Sequence, residues 1–427
     1  MSGPRRGPLW TRGAPRRSRP FWTKQRPWGR GGPWWLRPRR EGVPRWLRPN
    51  KPGGPGLART VAPNMAGGSV GAGGASVRTP PGAVLGWITL RAAAVIAAAV
   101  VFAAAVGFLL QRADGGPAAA WARTTGHDAL WMGHAWVDGR RSPAAMRRLA
   151  ARIRISGISD VYVLVGRLNR AGRLSPAEYA GAHAFLANFH AALPRVKVSA
   201  WLAGATGGGN VNLADRVTRA HVLAVAAATL RAGFGGVHYD FRPLTSGDRG
   251  LLRLLAATRA LHPNPLSVAA PKLEPVPGLR VPAQLFTGNP VFWTTGYLTE
   301  VARRVDQVTV ASYDTGLPFR SWYGGYVERE TALALQALPR GTDLRMALPA
   351  FHTGSLGHHA AAETVAAAVH GIRVGLTSAG RAPASTGTSQ ARGSGRESTF
   401  GVALFADDTA TSQDWAAYQQ GWVRPGK

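Results

Sequence analysis

Eight short apolar runs, each followed by a stretch of helical character, recur over the last 300 residues. This alternation limits the folds open to the chain more than any other feature. The runs are "ALWMGHAWV" (Ala129 to Val137), "VYVLVG" (Val161 to Gly166), "VKVSAWLAG" (Val196 to Gly204), "GVHYDFR" (Gly236 to Arg242), "LSVAAPKL" (Leu266 to Leu273), "QVTVASYD" (Gln307 to Asp314), "LRMALPAF" (Leu344 to Phe351) and "FGVALFA" (Phe400 to Ala406). Each has the length and apolar content of a buried strand. In the segment after the first run, Ser142 can cap a helix and Pro143 suits its first position. Met146, Leu149, Ala150 and Ile153 share one face, and Gly157 can end it. Further helices are expected to begin near Pro176, Leu213, Asp248, Tyr297, Glu328, Ala361 and Ser412. Strand and helix alternating eight times predict an α/β fold, a (β/α)8 TIM barrel over residues 127–423. An open doubly wound sheet is the second architecture the pattern allows.

The sequence ahead of the barrel has a different character. The formal net charge is +31, which on its face suggests nucleic acid or an anionic membrane as partner. The excess is uneven: Met1 to Leu85 holds 17 Lys and Arg against one acid, Glu41, which leaves +16 there and +15 over the longer remainder. That segment is rich in Pro, Gly and Arg, has six scattered tryptophans and no period, so residues 1–85 are expected to form a disordered basic cytoplasmic tail. Arginine and stacking tryptophan would suit nucleic acid or anionic lipid. Charge runs are more often simply solvated, and nucleic acid is not the expected partner. Met1 and Met65 are both candidate starts.

Ala92 to Leu110 is nineteen residues without a charge. That is about the length needed to cross a hydrocarbon core of roughly 30 Å. The reading is one transmembrane helix, a signal anchor over 86–111, followed by a linker over 112–126. The basic flank then puts the N-terminus in the cytoplasm and the barrel outside the cell membrane. Cleavage at Ala118-Ala119-Ala120 would instead release a secreted form, and an Ala-rich soluble helix is the third possibility. Residues 378–399 read as a flexible insert, and Gly204 to Asn210 lacks the Lys-Ser/Thr of a phosphate loop. Cysteine is absent, which excludes disulfides, thiolate metal sites and a cysteine nucleophile. The eleven histidines form no HExxH-type pattern, and neither metal nor cofactor is expected.

Side chains of a barrel strand alternate between lumen and helix layer. In "GFGGVHYDFRP" the apolar set Val237, Tyr239 and Phe241 belongs against the helices, which puts His238, Asp240 and Arg242 in the lumen with Arg242 nearest the C-terminal mouth. Asp240 and Arg242 could form a buried ion pair there, either as a strut or as part of a binding site.

The same stretch is similar to the fourth-strand signature D-G-x-D-x-D-x-E of glycoside hydrolase family 18, the chitinases and their relatives. "VTVASYD" resembles the family's strand ending in Met-x-Tyr-Asp. The resemblance implies that Asp240 orients a substrate N-acetyl group and assists the acid. It implies also that Tyr313 and Asp314 contact that group, making these three the catalytic candidates. The match is partial. Gly235 and His238 stand at the first two aspartates, and Arg242 stands where the family has its catalytic glutamate.

Retaining hydrolysis requires a carboxylic acid to protonate the leaving oxygen. Arginine, with a pKa above ~12, cannot supply it. Asp240 lies two residues deeper, about 6 to 7 Å along the strand. The expectation is a barrel that binds a glycan, N-acetylated if the resemblance holds, with hydrolysis lost or weak. Arg242 and His238 are the inner binding candidates, Trp293 and Trp322 are expected as exposed stacking platforms on loops, and His352 stands at the exit of the seventh strand. An active glycosidase drawing its acid from Glu274, Asp407 or Asp408 is one alternative. A structural barrel whose basic tail does the binding is the other.

Overall fold

The computed structural model describes residues 81–275, 291–355, 357–380 and 398–426. The basic tail before Pro81 and most of the 378–399 insert lie outside the described residues. Eight strands close into a barrel: β1 (Asp128–Met132), β2 (Ile158–Arg167), β3 (Lys197–Ala205), β4 (Gly236–Arg242), β5 (Leu266–Ala270), β8 (Gln307–Val310), β9 (Asp343–Pro349) and β10 (Phe400–Phe405). Their order around the barrel is β1-β10-β9-β8-β5-β4-β3-β2. β1 meets β10 in parallel, Ala129 opposite Ala403 and Leu130 opposite Leu404, and this closure excludes the doubly wound sheet. Two further residues each, β6 (Lys272–Leu273) and β7 (Phe292–Trp293), make a small separate pair beyond β5.

Helices cover the barrel: α2 (Pro143–Arg154), α3 (Ala182–Ala192), α4 (Arg216–Arg231), α5 (Arg249–Leu261), α6 (Thr295–Ala302), α7 (Arg320–Ala337), α8 (Val365–Ser378) and α9 (Ser412–Tyr418). α2 forms for the reasons its sequence suggests. The Ser142 hydroxyl accepts from the Ala145 amide at 3.2 Å, and Met146, Leu149, Ala150 and Ile153 are its buried residues.

Three boundaries differ from expectation. The first strand stops at Met132, and His134–Trp136 turn into a short 3-10 helix. β8 stops at Val310, so Tyr313 and Asp314 lie on the loop beyond it, Asp314 in the left-handed region at φ 60°. α7 starts eight residues ahead of Glu328 and runs through Gly324 and Gly325, poor helix formers that mask its first turns in the sequence. Their lack of side chains has a use. A Cβ on Gly325 would strike the Leu110 backbone, and one on Gly324 the Asp114 carboxylate.

Those contacts come from α1 (Pro81–Asp114), one continuous helix of 34 residues. Its last two turns seat on the barrel: Gly107 lies against the Trp322 ring, and His370 Nε2 is 2.8 Å from the Asp114 carbonyl. Beyond it, Arg373 Nε donates to the Ala122 carbonyl at 2.8 Å. Among the described residues no helix is long and apolar enough to cross a membrane. The stretch 86–111, expected as a transmembrane anchor, falls within this longer helix, whose end is bound to α7 and α8.

Two cores result. One fills the space between strands and helices. The other fills the lumen with aromatic rings, among them Trp131, Tyr162, Trp201, Tyr313, Phe351 and Phe405. Trp131 meets Tyr162, Trp201 and Phe405 edge-on, with centroids 5.3, 6.5 and 5.2 Å away. At the opposite end Asp128, fully buried, accepts from Trp422 Nε1 at 2.9 Å, the Tyr418 hydroxyl at 2.7 Å, the Thr124 hydroxyl at 2.7 Å and the Val402 amide at 3.0 Å. A buried carboxylate is tolerable only with this degree of pairing.

Candidate functional site

β4 delivers the alternation its sequence implies. Tyr239 and Phe241 join the core between barrel and helices, while His238, Asp240 and Arg242 are the buried polar residues of the strand. Arg242 Nε donates to Asp240 Oδ1 at 2.6 Å, with side chains only 7% and 0% exposed. The Arg242 guanidinium also lies 5.8 Å from the Tyr313 ring centroid. Burial works against the charged guanidinium, but Asp240 and Tyr313 outweigh it and hold the proton more firmly than usual. One layer deeper, His238 stacks on Tyr162 with ring centroids 3.9 Å apart, and its Nδ1 is 2.8 Å from the Ser267 hydroxyl. Burial, then the Arg242 charge, push its pKa well below the usual value, so His238 is neutral.

The site thus brings Asp240, Arg242, His238 and Tyr313 together. Asp314 is adjacent but turned to other partners. Its carboxylate lies 3.3 Å from His358 Nδ1, which is also 3.2 Å from Glu363 Oε2. Burial disfavours the imidazolium, but hydrogen bonds to Asp314 and Glu363 prevail and raise His358 to about 9. Asp314, His358 and Glu363 are the described residues placed closely enough to hold a metal ion. The donor set does not fit one well, because Glu363 is already engaged. It accepts from the amides of Asp314 at 2.6 Å, Thr315 at 3.1 Å, Gly316 at 3.1 Å and His359 at 3.3 Å, and from the Thr315 hydroxyl at 3.1 Å. With an imidazolium between two carboxylates, the trio is an ion cluster that shapes the loop carrying Tyr313 and Asp314.

The remaining candidates are dispersed. Trp293 is fully buried in β7, its indole N–H donating to the Leu244 carbonyl at 3.0 Å, so the exposed platform expected there is corrected to a core residue. Trp322 lies on α7 rather than a loop, half-buried beneath α1 and edge-on to Phe319 at 4.9 Å, which corrects the same expectation. His352 bonds outward to Asp414 Oδ2 at 2.9 Å, a carboxylate that also caps α9.

Of the alternative acids, Glu274 is half-buried beside β7 and Asp408 is exposed. Asp407 is different: burial, then the Asp408 charge, push it up to about 7, although it accepts from the Gly133 amide at 2.8 Å and Trp136 Nε1 at 2.7 Å.

Four residues of this region were not evident from sequence: Lys272, Glu330, His358 and Glu363. Lys272, Glu330 and Glu363 each have a backbone partner 41 to 57 positions away. A single sequence shows only a lone acid in an Ala-rich stretch and a lysine after a proline.

No family model matches the chain, and no curated protein matches it. Among solved structures it is similar to a family 18 chitinase of Cycas revoluta in complex with (GlcNAc)3, at 16% identity over 52% of this chain and 68% of that one, with a TM-score of 0.41. It is similar also to the spore cortex-lytic enzyme SleL of Bacillus megaterium QM B1551, at 12% identity over 70% of this chain and 75% of that one, with a TM-score of 0.46. At these identities the likeness bears on the fold alone, and the chemistry rests on this chain's own side chains.

Proposed function

We propose that this barrel binds a glycan at its C-terminal mouth and does not cleave it by the carboxylic-acid route of the enzymes its fourth strand resembles. The observation that carries the reading is the Asp240–Arg242 pair. A guanidinium stands at the mouth end of the strand, fixed at 2.6 Å by the one carboxylate beneath it. Arginine keeps its proton at any pH the fold survives, so it can hold an oxygen acceptor but cannot protonate a leaving group. Around it, Tyr313 and the lumen aromatics are buried against one another and form the apolar floor beneath the mouth.

N-acetylglucosamine oligomers, the ligand class named in the Cycas revoluta complex, supply the probe. Calorimetric titration of the full chain with the trimer and tetramer should show binding, and reducing-end assays should show no release. Arg242→Ala should weaken binding at least tenfold. Binding unchanged in that variant, or turnover by the natural chain, would remove the reading.

A second reading, an active glycosidase with its acid elsewhere, is favoured by Asp407 alone, whose carboxyl is half-protonated near pH 7. Release of reducing ends that disappears in Asp407→Asn and persists in Arg242→Ala would establish it.

A further inference from the structure

A buried acid and a half-buried base outside the Asp240–Arg242 pair take no part in that reading, and they are joined through two adjacent backbone residues. Glu330, 1% exposed on α7, accepts from the Leu273 amide at 2.7 Å and from the Tyr326 hydroxyl at 3.2 Å. Leu273 belongs to β6, whose other residue is Lys272. The Lys272 ammonium donates to the carbonyls of Tyr313, at 3.4 Å, and of Asp314. The Tyr313–Gly316 segment is therefore gripped from two sides: an ammonium on its carbonyls, and the Glu363 carboxylate on the amides of Asp314, Thr315 and Gly316. Such a double grip is what a segment containing a non-glycine residue at φ 60° needs to stay in place.

β6 cannot supply this rigidity by itself. It is two residues long and, among the described residues, pairs only with the two residues of β7. Pro271 separates it from the barrel strand β5. Its tie to a long helix is the Glu330 carboxylate, which is charge-assisted and shielded from water.

We infer that Glu330 is a positioning residue for the mouth of the barrel, holding β6 so that Lys272 can fix the loop that sets the Tyr313 ring beside Arg242. The inference rests on the glycan-site reading only in taking Tyr313 as part of that site. The groups facing Glu330 are Lys272 from β6, Ser312 from the loop after β8, and Tyr326 from its own helix. Burial, opposed by the Leu273 amide and these groups, pushes Glu330 up to about 7, so its carboxylate is lost within the neutral range. The loop's anchorage then varies with pH.

The test uses the full chain and hydrogen exchange resolved to the amides of Asp314, Thr315 and Gly316, expressed as protection factors at pH 6 and pH 8 with no ligand present. Glu330→Ala and Lys272→Met should each lower protection there by about tenfold or more, the scale expected for one lost charge-assisted hydrogen bond, with β2 and β3 unchanged. Glu330→Gln, which keeps an acceptor for Leu273 and serves if Glu330→Ala fails to fold, should abolish the difference between the two pH values. Protection at these amides equal to the natural chain's in all variants, or lost uniformly across the barrel, overturns the proposal. Titration with N-acetylglucosamine tetramer runs alongside: if the natural chain does not bind it while the exchange effect is present, the glycan reading fails and the positioning role stands.

Discussion

Arg242 and Asp240, two residues apart on one strand, form a 2.6 Å ion pair in surroundings that exclude water almost completely. Each charge is tolerable only because of the other.

Removing one partner should therefore cost far more than removing both. Asp240→Asn is expected to destabilise by about 3–5 kcal/mol, since it leaves a guanidinium buried without its counterion. The double change Asp240→Leu with Arg242→Met should recover most of that. Urea denaturation of the natural chain, Asp240→Leu, Arg242→Met and the double completes the cycle. Additive losses would show that the pair has no mutual dependence.

The His358 cluster predicts a loss of stability on the alkaline side. Its folded pKa, about 9, lies above the ordinary value of 6.5, so the stabilisation is fully present below about pH 6.5 and fades as pH rises through 9. The amount at stake is on the order of 2–3 kcal/mol. His358→Gln should be less stable than the natural chain at pH 7 and equal to it near pH 10.5. Thermal melts across that range read the difference.

Glu330 has the same sign as His358, in a lower pH window. Its folded pKa, about 7, exceeds the ordinary 4.5, so ionisation is penalised in the fold, and stability falls as pH rises from 4.5 to 7, then levels. Glu330→Gln should remove that slope. Melting midpoints of the two proteins, subtracted pH by pH, isolate it from the other carboxylates.

The seat of α1 depends on glycine. Gly325→Val would drive a side chain into the Leu110 backbone, so α1 should lift from α7 while the barrel remains folded. Limited proteolysis should then cut between residues 100 and 120 at least several times faster, with the barrel fragment as stable as before. Unchanged cleavage would mean that the helix reseats without difficulty.

How far this was legible in the sequence varies by residue. β4 was expected over Gly236 to Arg242 and forms there, since its alternation leaves one register possible. The pairing of Asp240 with Arg242 followed from the same two-residue period. Trp293 and Trp322 were misplaced because nothing local distinguishes a tryptophan on a loop from one beneath a neighbouring helix. Glu363, His358, Lys272 and Glu330 were not seen at all. Glu363, Lys272 and Glu330 act on backbone groups, whose contacts leave no trace in the identity of the residue that owns them, and His358 meets an Asp314 carboxylate that only the fold brings near.

The ties of Asp128 to Tyr418 and Trp422 span 290 and 294 positions. On a ribosome adding ~5–20 residues each second, tens of seconds separate the emergence of these partners. Through that interval the carboxylate that will anchor the first strand stays hydrated, which disfavours burying β1 early. Vectorial synthesis thus sets an order of events: a chain halted before Tyr418 lacks two of the donors that make burial of Asp128 tolerable, and closing the ring is costlier until they arrive.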